Sequence, residues 1–407
     1  MQMSRKLAVY FVLMTIVIDA MGIGIIMPVM PDLIRELRGA DLSDAALWGG
    51  VLSSSFAVMQ FLCGAAVGNL SDRYGRRPIL LASLGVVAVD YIIMGFTNSI
   101  WIVFLGRIVG GVASATQSTA SAYMADISKP EEKAQNFGLI GAAFGIGFIL
   151  GPLLGGLLSE FGSRAPFFAA AVLATLNMCM GYFVLNETVT DAIRRPLEMR
   201  RMNPFRALKH VGSFPGLGML LGMFFFHQVA FFVYPTVWSY YTQLRYDWQA
   251  LQVGISLMAF GIGMAVVQGG LIRLIVPRIG EWNTVIMGLL VSIVAFVLIG
   301  SATQGWMIYA IIPLCSLGLI TSPALSGIMS RATPDNAQGE LQGVMTAVGA
   351  IGTIISPLMM TGSFSYFTRP DAPIHFPSAP FALAMVLEII ALGLFVIAMR
   401  GQVVRAK

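Results

Sequence analysis

The sequence predicts an all-α polytopic membrane protein with twelve transmembrane helices, arranged as two halves of six helices each. Hydrophobic residues make up 57% of the 407 residues and charged residues only 11%. The mean hydropathy is +0.79, whereas soluble domains are about one-quarter charged. Apolar segments of about 20 residues, the length that crosses a bilayer, recur along the whole chain. A lipid bilayer is therefore the expected surroundings of most of the protein.

Each span is predicted from an apolar segment that ends at a short polar connection. One connection, 187–213, is longer and rich in arginine. We therefore expect an N-terminal six-helix bundle at 1–186, a cytoplasmic linker at 187–213 and a C-terminal six-helix bundle at 214–407. In order, the predicted spans are 7–30, 45–67, 79–97, 100–123, 135–158, 165–186, 214–240, 250–272, 282–301, 305–328, 340–363 and 380–399.

The distribution of positive charge predicts the orientation. With the N-terminus inside, 19 of the 25 Lys and Arg fall on the cytoplasmic side. Cytoplasmic loops carry this excess in membrane proteins, so both termini are expected in the cytoplasm. The net charge of +5 follows from this topology, and nucleic acid is not an expected partner. The arginines expected outside are Arg35, Arg38, Arg164, Arg245 and Arg369.

A weak internal repeat supports two related halves. A shift of 205 residues aligns 101–152 with 306–357 without a gap, with ten identical pairs. Among them are Trp101 with Trp306 and Pro152 with Pro357. Six-span parallel repeats around a site near the bilayer midplane are typical of transporters.

Five ionisable residues lie inside predicted spans. Placing such a group in a helix centre costs roughly 2.5 to 3.5 kcal/mol on insertion scales, so it is a functional candidate by default. The alternative interpretation is structural, because a buried histidine or acid also serves as a hydrogen-bonding group between helices. We interpret Arg107 as a cavity charge, which either holds an acid partner or balances other charge in the cavity. The proton-coupling candidates are Asp19, Asp90, His227 and Glu388.

Two glycine-containing motifs stand out. GNLSDRYGRRP, at 68–78, is a short connection between two spans, and GFILGPLLGG, at 147–156, places small residues and a proline along the fifth span. The first is interpreted as a cytoplasmic gate in which Asp72, Arg73 and Arg77 form a charge network, although Arg76 and Arg77 also serve as positive-inside anchors. The second permits close helix packing. The gate residues are Gly68, Asp72, Arg73, Gly75, Arg76 and Arg77, and the helix-motif residues are Gly147, Gly151, Pro152, Gly155 and Gly156.

These segments resemble those of the major facilitator superfamily. The first motif resembles its loop signature, and the second resembles the antiporter motif of its drug exporters. With DAMGIGIIMPVMPDL at the start, VDYII around Asp90 and LGRIVGG around Arg107, the chain is similar over nearly its whole length to bacterial tetracycline/proton antiporters. The resemblance implies the major facilitator fold, a bacterial inner membrane and a transport role for Asp19, Asp72, Asp90 and Arg107.

The sequence departs from that family at two positions. Tetracycline exporters carry a histidine in the eighth span and an aspartate in the ninth, where this sequence has Met264 and Ser292. Whether tetracycline itself is carried is therefore left open. His227 and Glu388 are the residues that could substitute. Interhelical hydrogen bonds explain the candidate cavity-lining glutamines equally well, and the alternative for the candidate phenylalanine is a position facing lipid. These candidates are Gln60, Gln117, Gln228, Phe231 and Gln268.

Three function classes follow from these observations. The first is a proton-coupled antiporter that exports hydrophobic small molecules or drugs by alternating access. The second is a facilitator or importer of another small solute on the same fold. A membrane enzyme is the remote third, because the sequence contains no HExxH, no GxSxG and no Cys/His metal cluster. The expectation is a monomeric secondary transporter with a small-molecule substrate, driven by a proton gradient and without cofactor or metal.

Overall fold

The chain is helical throughout the part that the structure describes. The computed structural model describes residues 5–114, 116–190, 194, 196–197, 202–205 and 216–405, and these contain α-helices and short helical turns without a strand. The helices are α1 Arg5–Ile26, α2 Met30–Arg38, α3 Leu42–Tyr74, α4 Arg76–Phe96, α5 Ile100–Ala113, α6 Thr116–Ile127, α7 Lys133–Ser159, α8 Ala165–Val184, α9 Gly218–Phe231, α10 Val233–Tyr246, α11 Ala250–Val266, α12 Ile272–Ile279, α13 Glu281–Ser301, α14 Gly305–Gly318, α15 Thr321–Arg331, α16 Gln338–Thr368 and α17 Ala379–Arg405.

Twelve spans are present, as predicted. Within the described residues, twelve helices or helix pairs are long and apolar enough to cross a membrane. Helices α3 and α16 have 33 and 31 residues and are longer than a bilayer requires. Polar residues at their ends extend each helix beyond its apolar segment. Helix α2 is a separate short helix that buries Leu33 and Ile34 and exposes Arg35 and Arg38. The structure therefore confirms the predicted fold class.

Several spans are interrupted. The fourth span consists of α5 and α6, the seventh of α9 and α10, and the tenth of α14 and α15. The eighth contains a π-helical segment, Val267–Leu271, between α11 and α12. Pro235 is the third residue of α10, and Pro323 is the third residue of α15. A proline lacks the N–H that would bond four residues back, which accounts for the breaks at Phe232 and at Leu319–Ile320.

The chain divides into two compact units. Unit 1 comprises Met1–Gly39, Ser55–Pro204 and Gln249–Met258, and unit 2 comprises Ala40–Ser54, Phe205–Trp248 and Ala259–Lys407. The predicted linker lies largely outside the described residues, together with most of its arginines, so the domain boundaries given above remain predictions.

Each unit has its own buried core. In unit 1, α1 and α4 pack side chains such as Phe11, Ile16 and Leu80 against α6. In unit 2, Leu289 and Phe395 belong to the core that joins α9, α13 and α15–α17. Lipid tails are as apolar as these side chains, so helix association depends on close packing and interhelical hydrogen bonds rather than on hydrophobic transfer.

Candidate functional site

The glycines of GFILGPLLGG bring two helices of unit 1 into backbone contact. Gly147, Gly151 and Gly155 recur every four residues on α7 and face the carbonyl oxygens of α1 at the same interval. A methyl group added at Gly151 would lie 2.5 Å from the carbonyl oxygen of Met21. Only a residue without a side chain permits this approach. Pro152 packs beside Gly24 of α1, and Gly156 packs against Ala250 and Leu251 of α11.

Asp19 lies on α1 beside a small cavity inside unit 1. Gly22 and Tyr91 also line the cavity, together with apolar side chains of α4 and α8. Its volume of about 10 Å³ is near the minimum that holds one water molecule. The Asp19 carboxylate and the Tyr91 hydroxyl supply polar groups there. Asp19 is thus a partly buried acid of the first span that lines a small cavity of unit 1.

Asp90 and Arg107 form a buried ion pair between α4 and α5. A terminal guanidinium nitrogen of Arg107 donates to Oδ2 of Asp90, and the two side chains are only 14% and 5% exposed. The guanidinium carbon also lies 5.3 Å from the centre of the Phe56 ring. Gly106 and Gly110 leave the space that the carboxylate occupies. The arginine therefore has an acid partner, although Asp90 Oδ1 and Arg107 Nε have no hydrogen-bond partner among the described residues.

Three charged residues within the spans of unit 1, Asp19, Asp90 and Arg107, lie close to Tyr91. Tyr91, next to Asp90 in sequence, lies within electrostatic range of Asp19, Asp90 and Arg107. An added methyl group at Gly22 would lie 2.5 Å from the Tyr91 hydroxyl oxygen, so this hydroxyl packs directly against α1. The structure thus places two predicted proton-coupling residues and the predicted cavity charge around one tyrosine.

His227 and Glu388 form the corresponding buried pair of unit 2. His227 Nδ1 lies 2.9 Å from Glu388 Oε1, and His227 Nε2 lies 3.1 Å from the hydroxyl oxygen of Ser322. The pair joins α9 to α17, the first and last spans of this unit. In unit 1 the equivalent two spans are joined by a neutral bond instead, in which Thr15 Oγ1 donates to Asn177 Oδ1 at 3.1 Å. Unit 2 thus carries ionisable groups between its first and last spans, where unit 1 has an uncharged hydrogen bond.

The loop between α3 and α4 contains a charge network centred on Arg76. Arg76 pairs with Asp72, and its Nε lies 3.2 Å from Asp126 Oδ2 at the end of α6. We predicted that Asp72 would instead pair with Arg73 and Arg77. Arg73 is exposed, while Arg77 donates to the carbonyl oxygen of Tyr182 at 2.7 Å. The structure differs from the prediction because α3 ends at Tyr74, and the turn at Gly75 places Arg76, the first residue of α4, beside Asp72.

Gly75 and Glu187 shape the same loop. Gly75 has φ of +114°, a conformation that favours glycine. The Glu187 carboxylate accepts the backbone N–H groups of Arg76 and Arg77 at 2.9 and 3.2 Å, which begin α4. It also accepts the N–H groups of Thr188 and Val189. A negative charge at a helix N-terminus is favourable, so Glu187 caps α4 from the segment that follows α8. Gly68, by contrast, faces open space.

We predict that Glu187→Ala destabilises the protein by about 1 kcal/mol, the typical cost of a lost N-terminal cap. The substitution leaves the first N–H groups of α4 without their acceptor, and it weakens the attachment of the segment after α8 to α4. Thermal unfolding of purified protein measures the effect. Glu131→Ala is the matched control, because Glu131 is an exposed acid with no such role. Equal unfolding temperatures for both variants would contradict the prediction.

The internal repeat relates the Arg76–Asp126 pair of unit 1 to an ion pair of unit 2 in which the positive and negative residues are exchanged. The shift of 205 residues places Arg76 on Glu281 and Asp126 on Arg331, and Glu281 pairs with Arg331. It also places Gly75 on Gly280, and both glycines have positive φ. In each unit, an ion pair therefore links the start of the third span to the end of the fourth. Sequence comparison at this shift would have found the second pair.

The remaining predicted residues are scattered. Gln60, Gln117 and Gln268 are exposed, and Gln228 and Phe231 are partly buried. Gln228 packs against Gly352 of α16. Their role in a substrate cavity remains a prediction. Ser292, one of the two departures from the tetracycline exporters, is buried against Gly318.

Sequence reasoning missed Glu187 and Ser322. Glu187 lies in a connection rather than in a span. The cost of placing a charge in lipid therefore did not identify it as a functional candidate. Serine is common between transmembrane helices, so nothing distinguished Ser322. The structure identifies both through their contacts.

Comparisons with known proteins agree with this fold. The profile of the Major Facilitator Superfamily matches residues 12–357. The class C tetracycline resistance protein of Escherichia coli is 39% identical over 363 residues, which is 89% of this chain and 91% of that one. The class G protein of Vibrio anguillarum is 39% identical over 355 residues, 87% and 89% of the two chains. A crystal structure of the nucleoside transporter NupG shares the fold at a TM-score of 0.80 and 11% identity, covering 96% of this chain and 99% of NupG. The chain therefore belongs to the Major Facilitator Superfamily and, within it, to the family of the tetracycline resistance proteins.

Proposed function

We propose that the protein is a proton-coupled antiporter that exports hydrophobic small molecules, including tetracycline-like drugs, across the bacterial inner membrane by alternating access. Its relatives are named for resistance to tetracycline. Both termini and the α3–α4 loop are placed in the cytoplasm by the positive-inside rule. The proposed transporting unit is a monomer.

The observation that carries the proposal is the burial of ionisable side chains inside the spans of both units. Asp90 with Arg107, and His227 with Glu388, are paired within apolar helices. Such groups in a membrane protein typically form ion pathways and proton relays. A passive facilitator of a hydrophobic solute does not need them, which favours proton coupling.

Asp19 is the proposed principal proton carrier, with Asp90, His227 and Glu388 as further proton-coupling groups. Its cavity has room for about one water molecule, so a carboxylate there has little solvent to stabilise its charge, and the neutral form is favoured. When water or a cationic drug reaches it in another state, the ionised form becomes favourable. Proton and substrate then compete for one acid, and this competition couples their movements in opposite directions.

The available driving force suits this role. A proton-motive force of about 200 mV supplies roughly 4.6 kcal/mol per proton. That energy corresponds to about three decades of concentration ratio for one proton exchanged per substrate molecule.

Transport by everted membrane vesicles tests the proposal. Vesicles from cells with and without the protein are given a panel of hydrophobic drugs that includes tetracycline, with the lumen acidified. We expect at least one drug to accumulate in the lumen while protons leave it, and an ionophore to stop both movements. The alternative functions give different results: a facilitator only equilibrates the solute, and a proton-coupled importer accumulates it under the opposite gradient. Either result would contradict antiport.

A further inference from the structure

The buried pair of unit 2 connects three helices. His227 lies on α9, Glu388 on α17 and Ser322 on α15, and the first two are only 2% and 1% exposed. The imidazole uses both ring nitrogens, Nδ1 toward Glu388 at 2.9 Å and Nε2 toward Ser322 at 3.1 Å. We refer to these three residues as the histidine cluster. A single change in the ring's protonation therefore changes both contacts.

The histidine cluster lies at two interrupted spans. His227 precedes the break at Phe232 by five residues, and Ser322 is the second residue of α15, directly after the break at Leu319–Ile320. Transporters bind substrates and coupling ions where helices are discontinuous, because helix ends and unwound backbone groups there interact with the ions. The cluster is thus attached to two interrupted spans of unit 2.

One atom of the cluster is unsatisfied. Glu388 Oε2 is buried and has no hydrogen-bond partner among the described residues. A buried carboxylate oxygen without a partner is costly, and it gains a favourable interaction when it binds a proton or a water molecule. Among the described residues, the titratable group that faces the pair is Tyr234 on α10, which lies within electrostatic range of Glu388 and hydrogen-bonds to Cys315 on α14. Neither brings a positive charge.

We propose that His227, Glu388 and Ser322 form one proton-exchange site that holds a single exchangeable proton. Without this proton, neutral His227 donates from Nδ1 to Glu388 Oε1, and Nε2 accepts the hydroxyl hydrogen of Ser322. The added proton binds either at Nε2, which gives an imidazolium–carboxylate pair, or at Oε2, which leaves both groups neutral. In both cases the pair has no net charge, whereas the unloaded pair keeps one buried negative charge.

Ser322 transmits the state of the site to α15. With the proton on Nε2, the ring nitrogen becomes a donor and the Ser322 hydroxyl must accept, so the direction of that hydrogen bond reverses. The reversal occurs one residue after the start of α15. Proton loading thus acts on the interrupted tenth span through a side chain that does not itself titrate.

Nitrogen-15 NMR of histidine tests proton binding without any transport substrate. The sequence contains three histidines, so the variants His210→Gln and His375→Gln assign the signals. We expect the ring-nitrogen signals of His227 to change with pH as the site gains or loses its proton, and a carboxylic acid infrared band to change with them. Glu388→Gln should remove the band and alter the titration of His227. Ring signals of His227 that do not change with pH would overturn the proposal.

The contribution of the site to coupling rests on the proposed function and is tested separately. His227→Gln and Glu388→Gln should each reduce gradient-driven drug accumulation at least about tenfold while downhill flux continues, and the double variant should be no worse, because the two residues act as a unit. Ser322→Ala should reduce accumulation while His227 still titrates. Controls are His375→Gln and Glu131→Gln, which alter exposed side chains. If the double variant loses as much accumulation as the two single variants combined, the proposal that His227 and Glu388 share one proton is wrong. A wild-type protein that transports no drug against a gradient refutes the proposed function, while the NMR titration still decides whether the site binds a proton.

Discussion

Replacing Arg107 with alanine is expected to abolish transport and to lower the free energy of unfolding by roughly 3 to 5 kcal/mol, the cost of removing one partner from a buried ion pair. The substitution leaves the Asp90 carboxylate without its positive partner, at a site where the carboxylate is only 5% exposed. The space that Gly106 and Gly110 provide would then enclose an uncompensated charge. Drug efflux and thermal unfolding of the purified variant measure the two effects.

A charge-neutral double variant separates the two roles of Arg107. Asp90→Asn combined with Arg107→Gln removes both charges, so it should recover most of the lost stability without recovering transport. Arg278→Ala serves as a control, since that arginine is exposed at the end of α12. Efflux at the wild-type rate from the Arg107→Ala variant, which is expected to remain folded in the membrane, would show that the pair is only a packing element.

The fold was predictable because its main determinant is local. A transmembrane helix needs about 20 apolar residues in a row, so hydropathy alone identifies each span without knowledge of its neighbours. The interruptions were not predicted, because each interrupted span, taken as a whole, is still long and apolar enough to cross a membrane. Pro235 and Pro323 were the available signals for two of them, since a proline removes the hydrogen bond that would join α9 to α10 or α14 to α15.

The candidate site was predictable only residue by residue. The cost of an ionisable group in lipid marks Asp90, Arg107, His227 and Glu388 individually. It does not reveal their partners, because His227 and Glu388 are 161 residues apart in sequence and only helix packing brings them together. The loop motif shows the same limit. Its arginines were recognised, but the turn at Gly75 that places Arg76 beside Asp72 was not.

Asp19→Asn is expected to eliminate uphill, proton-driven efflux. Asparagine has nearly the size of a protonated aspartic acid and cannot lose a proton, so the variant imitates one of the two states of the proposed carrier. The cavity beside Tyr91 and Gly22 should accept the amide without repacking. A carrier fixed in one state no longer exchanges proton for substrate. The roughly 4.6 kcal/mol carried by each proton at about 200 mV is then no longer available for transport.

The measurement compares everted vesicles that contain the wild-type protein, Asp19→Asn or Asp335→Asn, a control at an exposed aspartate. With the lumen acidified, the wild-type and control vesicles should accumulate drug, whereas Asp19→Asn vesicles should only equilibrate it. Drug binding to the purified Asp19→Asn variant should also lose most of its dependence on pH, because the competing proton has been removed. Accumulation by Asp19→Asn vesicles would show that Asp19 is a structural acid. The proton would then have to be carried by Asp90 or by the pair of His227 and Glu388. Asp90 and Glu388 each have a buried carboxylate oxygen without a hydrogen-bond partner among the described residues.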